Sequence, residues 1–439
     1  MTITPRRAAT RTQRTRGRRP ALPAPARHTP AVRVRPRHAA TPLPEVAEIV
    51  PAVPDHRRSR SRRAPGSRAY LTAALVRCAL YLGPLSVAVA AGDPLSRVAW
   101  PVPVATLLLG WTAAQALTSA GVAVARRAGI EAACRLVGGG FAAVAGLWCA
   151  LVWVAPAALL GPHRGLALVV GLGGLATLAT VTAALVTRAE VAVVRWCLPA
   201  WLLGVAAVAA LAGSPVPWLP IGTLLPAAIV VALVRAFRPA MLPGERRSYR
   251  PSAPEVRRAG GHLVIGASQA ICVGVLWQAG PSGSTVPFWL PLLLAVPILE
   301  ALIGWHTDQV EAGQVRGVTL VTLAGLLPPF AMGIALAVAA YRLPATVATL
   351  GDIRPNVLVL AGGMLLGGVF AVTFLLAARG RTAVAACLAA APPVAIPALK
   401  VLPLSTAGPL PDAVGALAVT HLAGLLVVAL TAADHRRRT

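Results

Sequence analysis

The chain has 439 residues, of which 56% are apolar and only 13% charged, with a mean hydropathy of +0.71 and a formal net charge of +27. Soluble globular domains contain about 25% charged and about 45–50% apolar residues. A single soluble fold is therefore excluded, and the composition predicts an all-α, multi-pass membrane protein. One lysine stands against forty arginines, a bias typical of GC-rich coding that indicates a bacterial source.

The N-terminal segment, residues 1–69, differs in composition from the rest of the chain. It holds seventeen arginines against three acidic residues and is rich in proline. High net charge with low hydrophobicity predicts a disordered tail. Nucleic-acid binding is disfavoured because no aromatic residue precedes Tyr70, so stacking platforms are absent. We expect the tail to associate with anionic lipid headgroups, with docking of a specific partner as the alternative.

Twelve apolar stretches of membrane-spanning length follow the tail, since a spanning helix needs roughly 20 such residues. They predict a first six-helix half at 70–237, a basic loop at 238–261, a second six-helix half at 262–432 and a basic C-terminus at 433–439. Such a division is common in transporters whose substrate site lies between repeated halves. The predicted spans are 70–91, 99–124, 133–158, 165–187, 191–212, 219–237, 262–279, 287–304, 317–341, 356–378, 382–403 and 413–432.

The charges of the connecting loops predict the orientation of these spans. Loops on the side of the tail hold fifteen arginines, whereas loops on the other side hold four. Because cytoplasmic loops carry an excess of arginine and lysine, both termini and the 238–261 loop are predicted to be cytoplasmic. The sequence thus indicates a multi-pass protein of the bacterial cytoplasmic (inner) membrane.

Polar side chains inside the spans are the candidate substrate-binding residues, because such groups are costly within a bilayer. They are Arg77, Gln115, Gln269, Glu300 and His421. For an anionic substrate, we expect Arg77 to face a central cavity that Glu300 and His421 also border, since a guanidinium holds phosphate in a bidentate manner. Alternatively, Arg77 extends to the inner headgroups and the others pack against separate neighbours. The glutamines either line a polar pathway or hydrogen-bond across helices.

Two proline pairs form a second candidate feature. Pro328–Pro329 and Pro392–Pro393 are predicted to interrupt the ninth and eleventh spans. Each proline ring removes a backbone donor and crowds the preceding turn, so a broken helix in lipid needs protein or a water-filled cavity around it. The pairs therefore predict a gate or a binding site, and the alternative is kinks that serve packing.

Enzymatic chemistry is not indicated by the sequence. The six cysteines are isolated within apolar stretches, which predicts no disulfide framework, no metal site and no cofactor. There is no glycine-rich phosphate loop ending in GKS or GKT, and no pair of carboxylates occurs in the predicted outer loops. The chain is therefore predicted not to be an enzyme.

The loop after the second span carries a partial motif. It begins at Gly121 and contains Arg126 and Arg127. It resembles the Gly-x-x-x-Asp-Arg-x-Gly-Arg loop of the major facilitator superfamily, with Ala125 in place of the aspartate. The corresponding loop of the second half keeps a glycine and an aspartate of that motif. This resemblance implies a facilitator-type exporter of small molecules.

The number of spans and three arginines carry a second resemblance. Arg77 lies in the first span, and Arg257 and Arg258 precede the seventh. In these respects the chain is similar to polysaccharide and lipid-linked-sugar flippases. The resemblance implies a flippase or exporter that moves an amphipathic or lipid-linked envelope precursor by alternating access. The remaining alternative is a membrane scaffold or assembly subunit that transports nothing.

Overall fold

The helices of the protein follow the predicted apolar stretches closely. The computed structural model describes residues 72, 75–80, 98–211, 221–241, 252–279, 318–342, 353–401 and 408–438. These residues contain no β-strand and belong to one compact unit, Arg60–Thr439. The tail, Glu300, the predicted span 287–304 and most of the span 70–91 lie outside the described residues.

Eleven helices occupy the part of the chain from Trp100 onward that the structure describes. They are α1 (Pro101–Ala128), α2 (Ile130–Val154), α3 (Ala157–Leu160), α4 (Arg164–Thr187), α5 (Glu190–Leu211), α6 (Ile221–Met241), α7 (Ala253–Ala279), α8 (Val318–Arg342), α9 (Ile353–Ala378), α10 (Thr382–Val401) and α11 (Pro409–Arg438). All except the single turn α3 coincide with a predicted span. Eight of them are long and apolar enough to cross a membrane, namely α1, α2, α4, α7, α8, α9, α10 and α11.

The helix ends are set by local chemistry. A proline occupies the first turn of α1, where a missing backbone donor costs nothing. Gly129, with φ at 92°, separates α1 from α2 in a conformation that glycine adopts without strain. α7 begins at Ala253, nine residues before the predicted span, because Ser252 and Glu255 cap it. The basic loop is correspondingly shorter than predicted, and α11 continues through the predicted C-terminal segment to Arg438.

The described helices pack as two bundles. In the first bundle α1 packs on α2 and α4, while α6 contacts α2, α4 and α5. In the second bundle α9 lies at the centre against α8, α10 and α11, and α7 packs on α10 within this bundle while it makes its most extensive contact with α1 of the first bundle. Each bundle has its own apolar core, which includes Leu80 and Phe141 in the first and Leu365 and Leu417 in the second. The prediction of an all-α protein with two helical halves is confirmed.

Candidate functional site

The two bundles meet mainly along α1 and α7, and we call this contact the seam. A Cβ added to Gly274 of α7 would lie 3.1 Å from the Val104 side chain of α1. A Cβ added to Gly266 would lie 3.0 Å from both the Cα of Thr112 and the Cβ of Gln115. The numbers run in opposite directions, so the helices are antiparallel, and glycine allows their backbones to approach closely.

A hydrogen-bonded chain crosses the centre of the seam. Trp111 Nε1 of α1 donates to Gln269 Oε1 of α7 at 2.8 Å, and Gln269 Nε2 donates to Thr373 Oγ1 of α9 at 3.1 Å. The rings of Trp111 and Phe370 stack with centroids 6.2 Å apart. Gln269 is only 3% exposed, and both ends of its amide are bonded. These two hydrogen bonds therefore join the first bundle to the centre of the second.

The structure brings the two predicted glutamines to the same interface. The Cβ and Cγ of Gln115 pack on Gly266, which lies one turn before Gln269 on α7. Thr112 adds a buried hydroxyl oxygen that has no hydrogen-bond partner within the described residues. The centre of the seam is thus lined by amide, hydroxyl and indole groups rather than by charges.

One end of the seam carries an ion pair between the bundles. Arg127 Nη1, near the end of α1, lies 2.9 Å from Glu255 Oε1, in the first turn of α7. The other oxygen of Glu255 accepts hydrogen bonds from the backbone N–H and the hydroxyl of Ser252 at 2.9 and 2.8 Å. The helix cap therefore fixes the carboxylate toward α1. The sequence signal was Ser-x-x-Glu at 252–255, which the span prediction overlooked.

The same end of the molecule is rich in arginine, and we call it the basic end. Burial, together with the charge of the neighbouring Arg381, lowers the pKa of Arg379 in the turn between α9 and α10. Its orientation toward the cytoplasm stays a prediction from loop charge. Its arginines include Arg126, Arg127, Arg238, Arg257, Arg258, Arg379 and Arg381.

Arg77 is attached to the first bundle. Its Nε lies 4.0 Å from Glu190 Oε1, in the first turn of α5, and its side chain is 29% exposed. Leu80, one turn further on, is buried in the core of the first bundle. The predicted cavity shared by Arg77, Glu300 and His421 stays a prediction, since Glu300 lies outside the described residues.

His421 is enclosed by the second bundle. It is 0% exposed, and Phe330 of α8 contacts its ring edge-on with centroids 5.3 Å apart. The ring lies over Gly368 of α9, where any Cβ would overlap it. Neither ring nitrogen has a hydrogen-bond partner among the described residues.

The proline pairs lie within continuous helices. α8 runs through Pro328 and Pro329, and α10 runs through Pro392 and Pro393. The prediction that these prolines interrupt the helices is therefore wrong at the level of secondary structure. Neighbouring helices cover one proline of each pair, since Pro329 and Pro392 are buried. The predicted gating role of the pairs stays a prediction.

Comparisons with known proteins agree with this architecture. No protein-family model and no curated protein sequence matches the chain. Among solved structures, it is similar to an outward-facing multidrug resistance MATE family transporter of the MOP superfamily, with a TM-score of 0.55 and 14% identity over 84% of this chain and 95% of that chain. It is also similar to a MOP superfamily transporter from Pyrococcus furiosus, with a TM-score of 0.51 and 13% identity over 84% and 95%.

A third similar structure is the MATE multidrug transporter DinF-BH in complex with R6G, with a TM-score of 0.51 and 13% identity over 87% of this chain and 99% of that chain. At these identities the matches show the fold alone. The predicted resemblance to membrane transporters is confirmed in its general form, and the fold is the one seen in MATE family transporters.

Proposed function

We propose that the protein is a membrane transporter that moves an amphipathic solute by alternating access of its two helical bundles. The observation that carries the proposal is the division into two cored bundles whose described contacts lie mainly along one antiparallel helix pair, α1 and α7. Bundles joined in this way can rock as rigid bodies, which is the usual basis of alternating access. The likeness to MATE family transporters in fold supports the same mechanism.

The chemistry of the seam supports an amphipathic solute. Its centre offers the Trp111 and Phe370 rings together with the amides of Gln115 and Gln269, all uncharged. A planar or apolar organic molecule is compatible with such a surface, because rings supply apolar contact and amides fix orientation. We therefore propose export of an amphipathic organic molecule as the main activity.

A flippase for a lipid-linked sugar precursor is the second candidate. It is supported by Arg77, whose side chain is 29% exposed beside Glu190 and carries a guanidinium that suits a lipid phosphate. A phosphate would compete with Glu190 for the guanidinium, so this candidate requires the ion pair to open.

Transport in proteoliposomes tests the proposal. We expect the purified protein to move rhodamine 6G across the bilayer, and a fluorescent polyprenyl-phosphate lipid tests the second candidate in parallel. Gly266→Ala should reduce transport severalfold because its methyl group would wedge α1 from α7. Gly260→Ala is the matched control, since no atom lies within 4 Å of a Cβ there. Movement of the lipid alone would favour the flippase, and movement of neither probe would contradict transport.

Spin-label distances test the rocking motion directly. The labels are attached in a variant whose native cysteines are replaced, at four positions that are exposed in the structure. One pair, at Ile130 and Ala383, reports on the basic end. The other pair, at Val154 and Tyr341, reports on the opposite end of the bundles. Alternating access predicts that the two distances change in opposite directions when substrate is added. Distances that do not respond, or that rise and fall together, would contradict it.

A further inference from the structure

The imidazole of His421 is buried in a place where the described residues offer its nitrogens no hydrogen bond. The ring is fully buried about 18 Å along α11, which places it far from either end of that helix at 1.5 Å per residue. Phe330 and Gly368 contact it through a ring edge and a bare backbone. Both nitrogens lack a hydrogen-bond partner among the described residues, although buried polar groups normally have one.

The part of α8 beside this ring contains backbone acceptors that lack helical donors. Pro328 and Pro329 have no N–H, so the carbonyls of Ala324 and Gly325, four residues earlier, lose their usual helical donors. The carbonyl of Leu326 approaches the imidazole without the geometry of a formed hydrogen bond. α8 therefore carries acceptors without donors within two residues of the Leu326 carbonyl, which lies beside a side chain that gains a donor when it is protonated.

No charged group among the described side chains competes for this position. The helices packed on α11 are α7, α8, α9 and α10. Cys272, the buried titratable residue of α7, directs its thiol to the Ala389 carbonyl of α10, and Cys387 of α10 is exposed. Among the residues of these four helices and of α11 whose side chains the structure describes, the other charged or titratable ones lie toward helix ends, except His262 in the third turn of α7; they are Glu255, Arg257, Arg258, Tyr341, Arg342, Arg354 and Asp412.

We propose that His421 is a proton-binding site of the second bundle and that its protonation draws the proline-containing part of α8 toward α11. The proton adds to the unprotonated ring nitrogen, and no other covalent bond forms or breaks. The resulting imidazolium has two N–H donors and a buried charge, so both donors need acceptors. The carbonyls of Ala324, Gly325 and Leu326 supply them after a small shift of α8. The use of this movement in transport rests on the proposed function, whereas the proton site does not.

Distance measurements against pH test this proposal without transport. Spin labels at the exposed positions Met332 of α8 and Leu426 of α11, in the cysteine-replaced background, report on the gap between the two helices. Between about pH 8 and about pH 4, a range wide enough to include protonation of a fully buried imidazole, we expect the mean distance to change by about 1–2 Å, the usual size of a helix shift. The change should vanish in His421→Gln, whose amide does not titrate.

Two further variants separate a proton site from simple packing. Trp148→Phe is the matched control, because Trp148 lies over Gly171 in the first bundle as His421 lies over Gly368 in the second, and the pH response should persist in it. Pro328→Ala combined with Pro329→Ala restores the helical donors and should reduce the response.

The outcomes are decisive in either direction. A parent protein with no pH-dependent distance, or a His421→Gln variant that responds like the parent, would overturn the proposal. If His421→Gln fails to fold, His421→Phe and the double proline variant carry the same comparison. Because these distances are recorded without substrate, a failed dye assay would contradict the proposed transport and leave the proton site standing.

Discussion

The hydrogen bond between Trp111 and Gln269 offers a quantitative test of how the two bundles are held together. Gln269→Leu removes both bonds of the buried amide, to Trp111 and to Thr373, and Trp111→Phe removes only the indole donor. If the 2.8 Å bond between α1 and α7 stabilises the seam, the two substitutions should not be additive.

The expected coupling follows from the geometry and from the surroundings. Hydrogen bonds between helices of membrane proteins contribute about 0.6 kcal/mol on average in double-mutant cycles, and at most about 1.7 kcal/mol. The Trp111 bond is short and Gln269 is 3% exposed, so we expect a coupling in the upper half of that range, about 1–1.7 kcal/mol. Gln269→Leu alone should cost more than Trp111→Phe, because it also breaks the 3.1 Å bond to Thr373.

Equilibrium unfolding in mixed micelles, followed by circular dichroism, measures this coupling from the parent, both single variants and the double variant. A control cycle pairs Gln269→Leu with Trp148→Phe, because Trp148 packs inside the first bundle and bonds Leu168 rather than the seam. The control should be additive within about 0.3–0.5 kcal/mol. A coupling this small between Trp111 and Gln269 would refute the proposed role of the bond.

Three further predictions follow from contacts and composition. Arg127→Ala should lower the free energy of unfolding by less than about 1 kcal/mol, because the Arg127 side chain is 60% exposed. Glu255→Ala should lower it by about 1 kcal/mol more, because the helix cap at Ser252 is also lost. Equal losses in the two variants would contradict this account. Gly171→Ala should destabilise the protein by about 1–3 kcal/mol by displacing a tryptophan ring, and Gly173→Ala, whose Cβ meets nothing within 4 Å, should not. Deleting residues 2–60 should leave the helical fold intact while weakening binding to anionic vesicles at low salt; a deleted protein that fails to insert would show that the tail is structural.

The helices could be predicted from the sequence because membrane-spanning segments are recognised by their length and apolar content. The start of α7 could not be predicted in this way. Arg257 and Arg258 lie within its first two turns, and their charges led to the prediction of a loop there. The capping residues Ser252 and Glu255 were the better signal for that end. The sequence pattern also could not predict that the helix continues through Pro328–Pro329, because this depends on the packing around each proline ring.

The seam could be predicted only in part. Gln115 and Gln269 stand out in the sequence as polar groups inside apolar helices. Their partners do not, because Trp111 and Thr373 are ordinary residues of membrane helices until the pairing of α1 with α7 and α9 is known. Which helices pair is set by close approaches at glycines such as Gly266, and glycines are too frequent in this chain to identify one by sequence.

The distribution of polarity along the seam is suited to the rocking motion that we propose. At the buried centre, the bond between Trp111 and Gln269 is neutral, so opening it would leave no unpaired charge in an apolar environment. The ion pair of Arg127 and Glu255 lies instead at the basic end, where Arg127 is 60% exposed and Glu255 keeps its hydrogen bonds to Ser252 when the pair opens. Had these two contacts been exchanged, separation of the bundles would strand a charge in the interior. The seam thus combines a specific register with a neutral centre, so that separation of the bundles leaves no unpaired charge in the interior.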